Sequence, residues 1–326
     1  MSARAKQLLS LAVSLLLLAA LYWSLDLRGL GRVFARAHPG LLAVSVLAIF
    51  PIKLLQAWRL KRLVPDPRRL AYREALRLIF LADVMNLVLP SKTGDLAKSW
   101  FMKGKGELSG SLAFSLVVFE KACDVLALLA WCAVGLLWMP GKSRPLELLT
   151  WGVMAAVAAG LLALGSRGFA HLLFSAARVL LPKRFEERAA RLAAAWQEVQ
   201  EHFRTQPRRA AEIAALSLLL WWVQFQQVWL FILAVRAWTP PLVNLALAPL
   251  AILAGLVPLT FAGLGTRDAA LIALYRPWLA TPAAAAVGLL TTTRYIVPAL
   301  VGLPFFRRSF ELAAGEPTGE NREPST

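Results

Sequence analysis

Apolar runs of about 18 or more residues recur six times along the chain, at Leu8–Leu25, Leu41–Trp58, Ser111–Met139, Leu148–Gly165, Ala211–Val235 and Ala283–Phe305. At about 1.5 Å rise per residue, each can cross a hydrocarbon layer of about 30 Å as a helix. With 58% of its residues apolar and only 17% charged, the chain reads as an all-α polytopic membrane protein with about six full transmembrane helices. The first run follows Arg4 and Lys6 and imitates a secretory signal. It is long for a signal core, and no small-residue cleavage site follows before Asp26, so a retained anchor is expected. Cys123 and Cys132 share one helix, nine residues apart, and cannot bridge each other. His38, His171 and His202 are scattered, so neither a metal nor another cofactor is expected.

The net charge of +17 raises the question of nucleic acid, and its distribution answers it. If the spans alternate, Arg4 and Lys6, the cluster Arg59–Arg77, Lys98, Lys103 and Lys105, nine basic residues from Arg167 to Arg209, and Arg307, Arg308 and Arg322 share one side. That is the positive-inside bias, with both termini cytoplasmic, affinity for anionic lipid headgroups, and no nucleic-acid partner. Arg28, Arg32 and Arg36 are the exception and fall outside.

Between the fourth and fifth spans, residues 166–209 are polar. Phe185, Ala189, Leu192, Trp196, Val199 and Phe203 recur there every three or four residues. This is the pattern of an amphipathic helix, lying on the cytoplasmic leaflet or packed beneath the protein. The tail, residues 311–326, is polar and rich in Pro and Gly, and is expected to be disordered.

Two apolar regions are interrupted. Glu74–Lys103 contains Pro90 and Gly94, and Leu242–Trp278 contains Pro258, Gly263 and Gly265. Each has the length of a re-entrant helical hairpin. Asp95 precedes Glu120 by 25 residues and Asp268 precedes Arg294 by 26, which points to an inverted repeat with halves at about 41–139 and 211–306. Irregular backbone at membrane depth must line a cavity or be buried in protein. Thr93-Gly94-Asp95 and Thr266-Arg267-Asp268 read as helix starts with a hydroxyl cap and an acid in the first turn. Such starts suit a phosphate. Asn86, Lys92, Thr93, Gly94, Asp95, Lys98, Gly263, Gly265, Arg267 and Asp268 are therefore the headgroup candidates, with Pro90 and Pro258 at the hairpin turns.

Charges inside the spans form a second set. Glu120 and Asp124 in FSLVVFEKACDVLALLAWCAVGLL share a helical face and repel unless a cation is shared or one is protonated, while Lys121 points about 100° away. Arg294 reaches similar depth from the opposite side and is the expected partner of Glu120 or Asp124 across the repeat interface. Five acids, Asp83, Asp95, Glu120, Asp124 and Asp268, balance the cations Lys92, Lys98, Lys121, Arg267 and Arg294. That balance leaves open whether the ions lock two halves together or exchange with a passing headgroup.

The runs Asn86-Leu-Val-Leu-Pro90-Ser-Lys-Thr-Gly94-Asp95, Phe119-Glu120-Lys121 with Asp124, Pro258 followed by Ala262-Gly263-Leu264-Gly265 and Asp268, and Arg294-Tyr295 with Pro298 resemble the lysylphosphatidylglycerol synthase transmembrane region family. The resemblance implies a flippase-like protein of the bacterial or archaeal cytoplasmic membrane. Its expected partners are membrane lipids: phospholipid, glycolipid, hopanoid or polyprenyl-linked. Bifunctional members add a soluble aminoacyl-transferase domain; the chain has no room for one after its last span, so synthase activity is not expected. Two alternatives stand beside the carrier. One is an accessory subunit that recruits a lipid-biosynthesis enzyme through the amphipathic helix. The other is an intramembrane enzyme using Glu120 and Asp124 as acid and base.

Overall fold

The computed structural model describes residues 26–64, 66, 70–88, 94, 98–99, 110–180, 186–256 and 265–314, and among these all regular structure is helical. The helices are α1 (Leu27–Arg36), α2 (Pro39–Leu47), α3 (Ile49–Leu63), α4 (Tyr72–Val88), α5 (Gly110–Trp138), α6 (Arg144–Gly165), α7 (Arg167–Leu180), α8 (Glu186–Arg204), α9 (Pro207–Ala234), α10 (Pro241–Ala254), α11 (Thr266–Tyr275) and α12 (Thr281–Ala314). Among the described residues, four segments are long and apolar enough to cross a membrane: Pro39–Leu63, Arg144–Gly165, Pro207–Ala234 and Thr281–Phe305. They contain four of the six expected spans. The first expected span lies outside the described residues. The third is α5, which at 29 residues has the length to cross but carries Glu120, Lys121 and Asp124.

Local sequence explains the breaks. Pro39 at the first helical position and the His38 ring, which accepts from the Leu41 N–H at 3.3 Å, start α2. Pro51 has no N–H for the Leu47 carbonyl, so the segment Pro39–Leu63 bends at Ala48 and continues as α3. α10 and α11, at 14 and 10 residues, are each too short to span the apolar layer, and they pack against each other.

Backbone contact at glycines fixes how the long helices meet. A Cβ on Gly135 of α5 would lie 2.6 Å from Ala246 Cα of α10, and one on Gly302 of α12 would lie 2.5 Å from the Phe80 carbonyl oxygen of α4. Small residues let backbones approach where lipid offers no hydrophobic drive to association. The two contacts are reciprocal: Ala246 follows Phe80 by 166 residues, and Gly302 follows Gly135 by 167. Gly94, beyond the end of α4, turns back onto it, since a Cβ there would lie 2.5 Å from the Asn86 amide nitrogen.

The core forms two clusters. One joins the second half of α5 with α9 to α12 through Leu136, Phe231, Ala246 and Tyr275. The other joins α3, α4 and the first half of α5 with α8 through Leu60, Ile79, Leu116 and Val199. α8 packs on the bundle: Phe203 stacks on Phe119 at 4.4 Å, Trp196 donates to the Ala163 carbonyl at 3.1 Å, and Glu198 accepts from the Ser111 and Ser115 hydroxyls at 2.6 Å each. The apolar side of the expected amphipathic helix thus packs on the bundle. The helix α12 continues through Ala314, and residues 315–326 of the expected tail lie outside the described residues.

Gly135→Ala pushes α5 off α10 and is expected to cost about 1–3 kcal/mol. Gly152→Ala on α6, with nothing within 4 Å, should keep or slightly raise stability. Thermal unfolding of the two purified variants in detergent checks the contrast.

Candidate functional site

The charged residues of the spans converge between the two core clusters. Arg59, near the end of α3, is 2% exposed. It is the cation that Glu120 and Asp124 share: one guanidinium nitrogen donates to Glu120 at 2.7 Å and to Asp124 at 3.2 Å, and the other donates to Asp124 and, at 2.8 Å, to Ser217. Trp221 donates to Asp124 at 3.2 Å, Lys98 approaches Glu120 to 3.5 Å, and Lys121 approaches Asp124 to 3.6 Å. Lys121 thus reaches across its own helix, as side chains three apart can. On the next face Lys53 of α3 pairs with Asp83 of α4 at 2.8 Å.

The expected pairing of Arg294 with Glu120 or Asp124 is not what forms. Arg294 donates instead to the Gln224 side-chain carbonyl and makes no ion pair among the described residues. The physical reason is access: α3 brings Arg59 up to the carboxylates from their own half of the chain, and its planar fork bridges both at once.

Around these groups lies a cavity of about 210 Å³. Its lining takes Lys53, Gln56, Arg59, Asp83, Asn86, Lys98, Glu120, Lys121 and Asp124 from the first half of the chain, and Trp221, Gln224, Gln227, Arg294 and Tyr295 from the second. Among the described residues, five cations therefore face three carboxylates, and the balance inferred from sequence does not hold inside the cavity. Four buried polar atoms of this lining lack a hydrogen-bond partner among the described residues: Arg59 Nε, Asn86 Oδ1, Glu120 Oε2 and Gln227 Oε1. Buried polar groups are nearly always satisfied, so water or another polar group is expected to complete these atoms.

The other candidates separate. Asn86 and Lys98 line the cavity, and Gly94 supplies the close approach to α4. Lys92, Thr93, Asp95, Gly263, Pro90 and Pro258 lie outside the described residues. Arg267 and Asp268 are turned to one another at 2.6 Å, both side chains 3% exposed, and do not line the cavity. Arg267 also donates to the Gly288 carbonyl at 3.1 Å and the Thr292 hydroxyl at 2.8 Å, which ties α11 to α12. The expected hydroxyl cap at Thr266 is replaced by Gly265, whose φ of +95° suits glycine and whose N–H donates to Asp268 at 3.2 Å. The acid in the first turn is as expected.

Arg59, Lys53, Gln224 and Gln227 were not singled out from sequence. Arg59 follows Trp58 at the edge of an apolar run and reads as part of the flanking basic cluster. The available signals were Lys53 inside that run, and two glutamines three residues apart inside another.

The profile of the family described as "Lysylphosphatidylglycerol synthase TM region" matches residues 7–302. The chain belongs to this family. No match is found among curated protein sequences. Family and fold together make it a multi-pass helical membrane protein linked to lipid handling.

Removing Arg59 strands two buried carboxylates. Arg59→Met is expected to destabilise the fold by about 3–5 kcal/mol. Adding Glu120→Gln and Asp124→Asn to that variant should restore much of the loss, as read by thermal unfolding of the single and triple variants.

Proposed function

We propose that this protein is a flippase-like carrier that moves polar lipids with anionic headgroups across the membrane. The observation that carries the reading is the surplus of positive charge in the cavity, with Arg294 lacking a carboxylate partner among the described residues. A half-buried cation without a counter-charge is costly inside an apolar layer, and an arriving phosphate supplies that counter-charge with bidentate hydrogen bonds. In this mechanism the headgroup enters the cavity and is met by Arg294 and Lys98. The Arg59 cluster holds the remaining charges in place, and the acyl chains stay in lipid. Gln224, released from Arg294, can turn to the headgroup's hydroxyls.

The reading includes two re-entrant hairpins and an inverted repeat. The reciprocal contacts of α5 with α10 and α12 with α4, displaced by 166 and 167 residues, support it. Rocking of one half against the other would open the cavity to either leaflet in turn. The end bearing Lys61, Arg62 and Arg209 is taken as cytoplasmic. The accessory-subunit reading is weakened because α8 spends Trp196, Val199 and Phe203 on its own bundle. The enzyme reading is weakened because Glu120 and Asp124 share one arginine, an arrangement suited to holding charge.

The test is movement of labelled phosphatidylglycerol between leaflets of proteoliposomes. Arg294→Ala is expected to lower the rate tenfold or more while thermal unfolding stays near that of the parent, and Arg294→Lys should retain part of it. A rate unchanged by both Arg294→Ala and Glu120→Ala sinks the assignment.

A further inference from the structure

The three arginines that break the charge asymmetry, Arg28, Arg32 and Arg36, lie on α1, on one face within about 80° of arc at 100° per residue. The opposite face carries Leu30 and Val33, which pack on the core, and Leu27 and Phe34, which are exposed. The two ends of α9 fix where α1 sits. At its first turn Arg209 donates to the Arg62 carbonyl at 2.7 Å, among the basic residues of that end. At its last turn the Ala234 carbonyl accepts from the His38 N–H at 2.7 Å, directly after α1. The 28 residues between put α1 about 42 Å away, at the opposite end of the bundle.

A second basic residue set meets α1 there. Arg236, just past α9, has a φ of +57°, and the Ala237 N–H bonds back to the Ile232 carbonyl at 3.1 Å. That left-handed turn is where glycine is the usual occupant, so arginine there carries backbone strain that glycine would relieve. Arg32, Arg36 and Arg236 line one groove of about 700 Å³ in which, among the described residues, the one carboxylate is Asp26, paired with Arg32 at 3.3 Å. The side chains of Arg28, Arg36 and Arg236 make no hydrogen bond or ion pair among the described residues. Exposed Trp238, with its edge to Trp229 at 5.7 Å, and exposed Leu27 and Phe34 mark this level as the boundary between lipid and water.

We propose that α1 and Arg236 form a docking site for phospholipid headgroups of net negative charge at this membrane surface. Three like charges on one helical face repel one another, and the groove concentrates a fourth. Lipid phosphates are the counter-charge available at that depth, and guanidinium binds them in pairs of hydrogen bonds. The apolar face of α1 fixes the depth, so the arginines lie level with the headgroups. The site extends the lipid-handling reading but shares no residue with the cavity, so either can fail alone.

The test is retention of phosphatidylglycerol by the purified full chain in detergent, counted by native mass spectrometry and compared with phosphatidylcholine. The variant Arg32→Gln/Arg36→Gln/Arg236→Gln is expected to lose phosphatidylglycerol several-fold while keeping its thermal stability, and Arg294→Ala should keep the lipid at this site. Arg236→Gly is the sharper variant: it is expected to raise thermal stability and still weaken phosphatidylglycerol retention. Retention unchanged in the triple variant, equal retention of phosphatidylcholine, or equal competition by inorganic phosphate overturns the proposal.

Discussion

One guanidinium organises the interior. Arg59 bridges two carboxylates one helical turn apart, and without it Glu120 and Asp124 would stand as adjacent buried anions. The bridge joins α3 to α5, and Ser217 and Trp221 bring α9 to the same point. Three long helices are thereby held at one depth. A buried ion pair adds little net stability over an apolar pair of the same shape, but it is costly to break. The cluster therefore specifies which helices meet rather than how tightly the fold holds.

Around that point the apolar core divides in two, and the division leaves room for the cavity. Glycines at 135 and 302 draw α5 onto α10 and α12 onto α4, crossing the two halves of the chain over one another. Residues from both halves then face the same space. The Arg267–Asp268 pair, by contrast, is sealed between α11 and α12 and keeps a helix start in place. Charges of similar appearance in sequence thus divide into structural and cavity-facing sets.

The apolar helices were legible because hydrophobic length acts locally, through the backbone and the thickness of a bilayer, and the family was legible in the order and spacing of its motifs. Glu120, Asp124 and Arg294 were legible as a set because charge inside an apolar run is costly wherever it falls. Their pairing was not. Arg59 sits 61 residues before Glu120 in the chain and at the margin of its apolar run, where a flanking cation looks ordinary. The cap at Gly265 was misassigned to Thr266 for a similar reason: both residues suit a helix start, and only backbone torsion separates them.

By itself the sequence determined that this chain forms apolar helices with basic flanks, two Pro/Gly interruptions and charges at membrane depth, because those properties follow from residue type and spacing. Only the tertiary structure decided which charges neutralise one another and which face a cavity. Coulomb energy in a low-dielectric interior depends on distances of a few ångströms between distant parts of the chain. Those distances are set by which helices pack together, and no local pattern records which partner each helix will meet.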